Sequence, residues 1–499
     1  FRARFHHDVV VDLVGYRRFG HNEGDEPSYT QPRMYEAIER QPPVREQYAE
    51  RLAERGIVSV EDAERVVEQV QQRMRDAHEA LKASIAAGGA RAPSKERRPG
   101  RAGDAQIETA VPAERLRELN EHLLAVPDGF HVNPKLAKQL ERRREALGEG
   151  GLDWAHAEAL ALAALAAEGV PVRLTGQDTV RGTFSQRHLA LHDAETGQTW
   201  TGIQHLPDAR ASIELHNSPL SELACLGFEY GYAMAAPEAL VLWEAQFGDF
   251  INAAQVIVDQ FIVAGLAKWG RTSRLTLLLP HGYEGSGPEH SSARLERFMQ
   301  LAAQENIRIA NCTTAGQYFH LLRRQALAPR ARPLVVFTPK GLLRLKQAAS
   351  RMEDLTAGRF KPILDDPTVE ADERPDVRRL VLCSGKVYYD IVGHPACGAG
   401  ASDAVAVARL EQLYPFPVAA YDELLARYPN VEQVVWTQEE PQNMGPWRAI
   451  RHRLEEGLPE EIELRYCGRP WRASPSEGYP TAHLLEQERI VTEALGARG

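Results

Sequence analysis

Paired cysteines are missing from this sequence. The five present, Cys225, Cys312, Cys383, Cys397 and Cys467, are odd in number and scattered, and no CxxC occurs. The pattern suggests neither a structural zinc site nor a disulfide framework, and it points to a reducing compartment. No apolar run approaches the ~20 residues needed to span a bilayer. Basic charge is not in excess: the net charge of -10 argues against a general nucleic-acid binder. There is no GxSxG elbow, no HExxH and no GxxxxGK[ST] loop, so hydrolase and P-loop chemistry have no motif to stand on. No repeat of fixed period is present.

A signal or transit segment is also lacking, and the first residue is Phe1. The run Asp8–Val14 (DVVVDLV) reads as a buried strand at the very start. The chain is therefore expected to begin inside a domain, as the C-terminal part of a longer protein.

What is present supports about three domains: 499 residues, 43% hydrophobic, 26% charged. Residues 1–32 read as a strand and then a polar Gly/Pro loop holding Gly20-His21-Asn22-Glu23. From Met34 to about Ser84 the pattern is helical, with a start at Ser59 and Asp62. Residues 88–104 are basic and Gly/Pro-rich and read as a solvated surface loop. A buried Ala/Leu helix follows at 155–167. Apolar strands are expected at Val172–Thr175, Ala239–Trp243, Leu275–Leu279, Ile307–Asn311 and Leu334–Thr338, with helices between most of them. That alternation indicates a parallel sheet covered on both faces. Residues 351–377 read as a polar linker, and a second α/β block has strands at 378–384, 404–408 and 433–437.

Three places can carry chemistry. In Ser218–Phe250, Glu222 stands in the first turn of a helix behind Ser218-Pro219, and aromatics return after the next strand. Ser218 suits the N-cap, Pro219 the first helical position, and Glu222 complements the helix dipole. The same carboxylate, facing those aromatics, can instead hold a flat heteroaromatic cofactor. The Gly-rich segment Leu279–Arg294 leaves a strand, carries His281 and His290, and enters a helix near Ser291. Histidines there can act as acid or base, or can simply be solvated. His21 is the third candidate, again with a capped surface loop as the plain alternative.

Longer motifs decide among these. YRRFGHNEGDEPSYTQP (16–32), GQDTVRGTFSQRH (176–188), SPLSE and FEYGYA (218–233), WEAQFGDF (243–250), HGYEGSGPEHSSARLERF (281–298), RRQAL (323–327), CSGKVYYD (383–390), EQLYPFP (411–417) and QEEPQNMGPW (438–447) run nearly the whole chain. Together they resemble the thiamine-diphosphate-dependent decarboxylating component of 2-oxoglutarate dehydrogenase. The resemblance implies a transketolase-like α/β fold: residues 1–32 as the end of a diphosphate-binding domain, 33–150 as a helical linker region, 151–350 as the pyrimidine-binding domain, 351–377 as a linker and 378–499 as the C-terminal domain.

It also implies roles. Glu222 matches the glutamate on the aminopyrimidine ring nitrogen of thiamine diphosphate, and Phe250 the aromatic stacked on that ring, with Gln246 and Phe247 nearby. His290 matches the histidine that assists acyl transfer, His281 a second active-site histidine, and His21 a loop histidine beside the diphosphate. Where the family has another histidine two residues earlier, this chain has Phe19. The family's GDG…NN segment is absent, so no metal ligand is assigned here and those for Mg2+ are expected upstream of Phe1. The implied activity is oxidative decarboxylation of 2-oxoglutarate, with succinyl transfer to the lipoyl domain of a dihydrolipoyl succinyltransferase. A homodimer is implied, in the bacterial cytoplasm or, in a eukaryote, the mitochondrial matrix. A 2-oxoadipate-preferring relative, and an inactive dimerising fragment, are the alternatives.

Overall fold

The structure, a computed structural model, describes residues 1–87, 107–397 and 405–496. The basic segment 88–104 lies outside the described residues. The chain divides into two compact units, Phe1–Lys95 and Glu96–Gly499.

The first unit is helical, with Arg2–Phe5, Pro32–Arg40, Val44–Glu54 and Val60–Ala86. The 34–84 pattern is thus three helices, interrupted by Pro42-Pro43 and by Gly56 at φ +64°. The long helix starts as expected: the Ser59 side chain accepts the Asp62 N–H at 3.0 Å. The run Asp8–Val14 is not the buried strand its composition suggests. It is exposed, with Leu13 at 91%. Among the described residues of this unit there is no sheet to take its backbone groups, and β-branched residues bury only against cross-strand neighbours.

In the second unit the strands, in chain order, are β1 (Val172–Gly176), β2 (Leu191–His192), β3 (Thr199–Trp200), β4 (Ile213–Asn217), β5 (Leu240–Glu244), β6 (Thr276–Pro280), β7 (Arg308–Ala310), β8 (Leu334–Thr338), β9 (Ile363–Leu364), β10 (Arg379–Cys383), β11 (Val405–Leu410), β12 (Gln412–Tyr414), β13 (Gln433–Pro441) and β14 (Glu463–Arg469). A seven-stranded sheet runs β12-β7-β8-β6-β5-β1-β4 and a five-stranded sheet runs β14-β13-β10-β11-β9. Every pairing in them is parallel except β12 with β7 and β9 with β11.

β5, β6 and β8 are buried throughout, which is why they read as unbroken apolar runs. Helix Trp154–Ala167, capped by Asp153 on the His156 N–H at 2.8 Å, packs against helix Ala315–Leu327 over one face. On the other face, one continuous core joins β5, β6 and β8 to β10, β11 and β13. The stretch 351–377 is built into the fold: helix Glu353–Thr356 puts Leu355 into the core of the first face, and strand β9 pairs with β11.

The helical run Gly248–Trp269 is long and apolar enough, by length and composition, to cross a membrane, contrary to the reading of the sequence. One such run is weak ground for a span. It passes from 3₁₀ through α to a π turn at Val258–Ile262, with Ile251, Ala254, Val258 and Ile262 buried in the core.

Candidate active site

β8, β6, β5 and β1 lie side by side, and their carboxyl ends converge. The loop after β1 brings Phe184, that after β5 brings Gln246, Phe247 and Phe250, that after β6 brings His281 and His290, and that after β8 brings Lys340. The crevice outside such strand ends is where open α/β sheets bind ligands.

The rings meet edge to face. Phe247 lies 4.5 Å from His290 at 90°, 5.5 Å from Phe184 at 89° and 6.0 Å from Phe250 at 75°. Phe250 and His290 are 6.4 Å apart. Gly248 permits this turn. A Cβ there would sit 2.4 Å from the Ala293 Cβ and 2.6 Å from the Pro280 carbonyl oxygen, so the chain passes beneath the loop only without a side chain.

Glu222 is the first residue of helix Glu222–Ala235. The cap is Ser221, whose hydroxyl accepts the Ala224 N–H at 3.4 Å, and not Ser218 with Pro219 at the first helical position. Both serines suit a cap, but residues up to Asn217 belong to β4, and Ser218 still bonds back to Gly176. The helix packs against the turn Gly248–Ala254 that carries Phe250. Glu222 is half-buried and, among the described residues, its side chain has no hydrogen bond or ion pair. Around it the apolar Leu220, Leu223 and Phe228 face outward, as do Val256, Phe261 and Trp269 of the neighbouring run.

His281 is buried and fully engaged. Its Nδ1 accepts the Ala293 N–H at 3.1 Å, so the ring proton sits on Nε2 and is donated to Glu440 Oε1 at 2.9 Å. His290 ends the 3₁₀ turn Pro288–His290, and the next helix begins at Leu295 rather than near Ser291. Arg294 stands at φ +56° in the left-handed region, which a helix cannot run through, so the helix starts only after it.

Two charged groups under this loop had no part in the sequence reading. Asp249 Oδ1 accepts the Ser292 N–H at 3.2 Å, while Oδ2 is buried with no partner. Burial pushes this carboxyl up, against the pull of the Ser292 N–H and of His281 and Lys340. The Lys340 ammonium donates to the His290 carbonyl oxygen. A lysine closing an apolar run, LVVFTPK, was the signal available for it.

The floor is rigid. Arg187, buried, bridges Glu158 (Nε to Oε1, 2.5 Å) and Glu244 (Nη1 to Oε2, 2.7 Å), and the Tyr318 hydroxyl donates to Glu158 at 2.7 Å. Those two carboxylates hold Arg187 well above its ordinary pKa despite burial. His21 stands in the first unit, in an exposed loop where its N–H donates to Asp25 Oδ2 at 2.6 Å.

The comparisons with known proteins agree along the chain. Residues 150–346 match the family described as transketolase, pyrimidine binding domain, 349–495 the 2-oxoglutarate dehydrogenase C-terminal family, and 1–87 the dehydrogenase E1 component family. A 2-oxoglutarate dehydrogenase E1 component from Geobacillus sp. (strain WCH70) is 50% identical over 500 residues, which is 99% of this chain and 52% of that protein. Along its length this chain is similar to part of a 2-oxoglutarate dehydrogenase E1 component. Proteins of the same name from Bacillus subtilis (strain 168) and Exiguobacterium sp. are 48% and 47% identical, again over 99% of the chain and 52% of theirs. The chain thus spans about half the length of the curated E1 relatives it matches. The similarity carries the transketolase-like α/β fold, with the sheets described above.

Proposed function

We propose that this chain supplies the pyrimidine-binding half of a thiamine-diphosphate site in an enzyme that decarboxylates 2-oxoglutarate and passes the succinyl group to the lipoyl domain of a dihydrolipoyl succinyltransferase. The reading places the enzyme in the 2-oxoglutarate dehydrogenase complex of the citric acid cycle, in the cytoplasm of a bacterium. One observation carries it: a carboxylate without a partner among the described residues, Glu222, on a helix packed against the turn that presents Phe250, beside Phe247 and His290. The donor set fits an aminopyrimidine, which needs one carboxyl at a ring nitrogen and apolar ring faces around it.

Thiamine diphosphate, when bound, supplies a thiazolium ring that serves as the electron sink for loss of carbon dioxide. The chain's own residues do the rest. Glu222 presents its carboxyl to the ring nitrogen and exchanges a proton with it. Phe250 stacks on the pyrimidine, with Phe247 and Gln246 alongside. His290 moves protons during acyl transfer. Both ring nitrogens of His281 are engaged, so we assign this second active-site histidine to orienting the loop through Ala293. His21 is assigned to the diphosphate end, and Mg2+ to ligands outside this chain.

The outward Leu220, Leu223, Phe228, Val256, Phe261 and Trp269 support a homodimer in which a second subunit covers Glu222. The test is Glu222→Gln in the complete enzyme, assayed with 2-oxoglutarate and with 2-oxoadipate. Loss of turnover with unchanged thermal unfolding is expected. Near-wild-type turnover would remove Glu222 from the role, and a preference for 2-oxoadipate would overturn the substrate.

A further inference from the structure

The loop that carries His290 is closed by three bonds of its own, from the Gly282 N–H to the Ser291 carbonyl oxygen (2.9 Å) and from the Ser291 hydroxyl (2.7 Å) and the His290 N–H (3.3 Å) to the Gly287 carbonyl oxygen, but its backbone is rich in glycine. Between His281 and His290 it contains Gly282, Gly285 and Gly287 at φ +148°, +75° and +87°. Gly287 has nothing within 4 Å of its Cβ position. A Gly-rich loop loses much entropy on ordering. Contacts from outside the loop therefore add to what fixes the position of His290.

Lys340 is placed to do so. It follows β8, and its Cε lies 3.9 Å from the Cβ position of Gly282, so its stem runs under the loop. Its ammonium donates to the His290 carbonyl oxygen. On its far side, the Gly341 N–H donates to Glu284 Oε1 at 2.6 Å, tying the middle of the loop to the same turn. Two residues past His290, the Ser292 N–H donates to Asp249. The histidine is thus held by its own carbonyl and by the amide two residues on.

The charge state argues that this is not merely a stability device. Among the described residues Lys340 makes no ion pair within 4.0 Å. Glu284, Asp249 and Glu439 act on it only at longer range, and burial still draws its ammonium below the ordinary lysine range. A half-buried cation without a contact carboxylate costs free energy that an apolar side chain there would not. Groups kept at such cost cluster at functional sites.

We propose that Lys340 is a positioning residue that sets the place and orientation of His290, with Asp249 as the second point of the clamp. The proposal rests on the reading of His290 as the acyl-transfer histidine, and it adds the group through which the β8 end of the sheet controls that step.

The complete enzyme tests it with Lys340→Met, Lys340→Arg and His290→Ala. The first readout is taken without cofactor: the rate at which diethyl pyrocarbonate modifies His290, mapped by peptide mass spectrometry across pH. The second compares succinylation of a free lipoyl domain with decarboxylation measured by an artificial electron acceptor. For Lys340→Met we expect an altered pH profile of His290 modification, and transfer falling about ten times further than decarboxylation, a modest share of the ~100-fold that a 1 Å misplacement costs. Lys340→Arg keeps a donor and should restore both readouts. An unchanged His290 profile in Lys340→Met overturns the clamp, as does equal loss of both reactions without rescue by Arg. Full transfer by His290→Ala would instead remove the reading beneath the proposal, while the modification profile would still decide whether Lys340 positions the ring.

Discussion

The segments after β4 and β5 and those at the ends of β13 and β14 treat charge in opposite ways. After β4 and β5 the chain carries groups left incomplete: among the described residues Glu222 has no partner, and one Asp249 oxygen is buried without one. At β13 and β14 every strong charge is answered. Arg469 is 0% exposed and is held by Glu477 (Nη2 to Oε2, 3.0 Å), by the Glu439 carbonyl oxygen at 2.7 Å and by Gln487. Lys386 pairs with Glu439 at 3.1 Å and with Asp390 at 2.5 Å. Both ends are polar and lie over apolar cores. The difference teaches that polarity alone does not mark a reactive site. Unspent hydrogen-bonding capacity does, since a satisfied network has nothing left to offer a ligand.

The contrast makes ordered predictions. At the open end, Glu222→Gln should lower turnover of the complete enzyme by roughly 10²- to 10⁴-fold, the span typical of a lost proton-transfer group, with the unfolding midpoint unmoved. At the closed end the effects reverse. Arg469→Met should leave the buried Glu477 carboxylate with only the more exposed Arg472 as a cation and the Glu439 carbonyl oxygen without its donor, and cost about 3–5 kcal/mol in a denaturant titration. A cost under about 1 kcal/mol would mean that the network is not the prop it looks like.

A smaller effect is expected at Glu411. This carboxyl is fully buried, and burial raises it to about 7, against the pull of Arg409 and of the Thr313 N–H (2.9 Å) and hydroxyl (2.5 Å). Between pH 4.5 and about 7 the unfolded chain has lost this proton and the folded chain keeps it. Stability should therefore fall as pH rises through that window, by at most about 1.4 kcal/mol per unit, and level off above it. Glu411→Gln should flatten that part of the stability–pH curve; an identical slope in the variant would assign it elsewhere. Smallest of all, Arg451→Ala breaks an exposed i,i+4 pair with Glu455 and should change stability by less than about 0.5 kcal/mol.

How far the sequence shows this arrangement depends on what each residue answers to. β5, β6 and β8 are legible because strands buried on both faces are apolar without interruption. β4 is not, since Glu214, His216 and Asn217 give an edge strand no apolar signature. Asp8–Val14 shows the converse, strand composition with no sheet to join. Glu222, Phe247, Phe250 and His290 were reachable through long motifs. Lys340 and Asp249 were harder to reach, because their importance lies in bonds to a loop about fifty and forty residues away in sequence, and the place of Lys340 after an apolar run is only a hint of it.

The short strand β12 has a consequence for where this protein can be cut. Gln412–Tyr414 leaves the C-terminal sheet and closes the free edge of the other at Arg308–Ala310. Severing the chain near residue 348, between the two matched families, would leave the larger piece with an unpaired parallel edge and an open apolar face. Such edges recruit other strands. The larger piece is therefore expected to aggregate when expressed alone. Exchange of either domain between relatives should succeed only when the strand that crosses over travels with the sheet it seals.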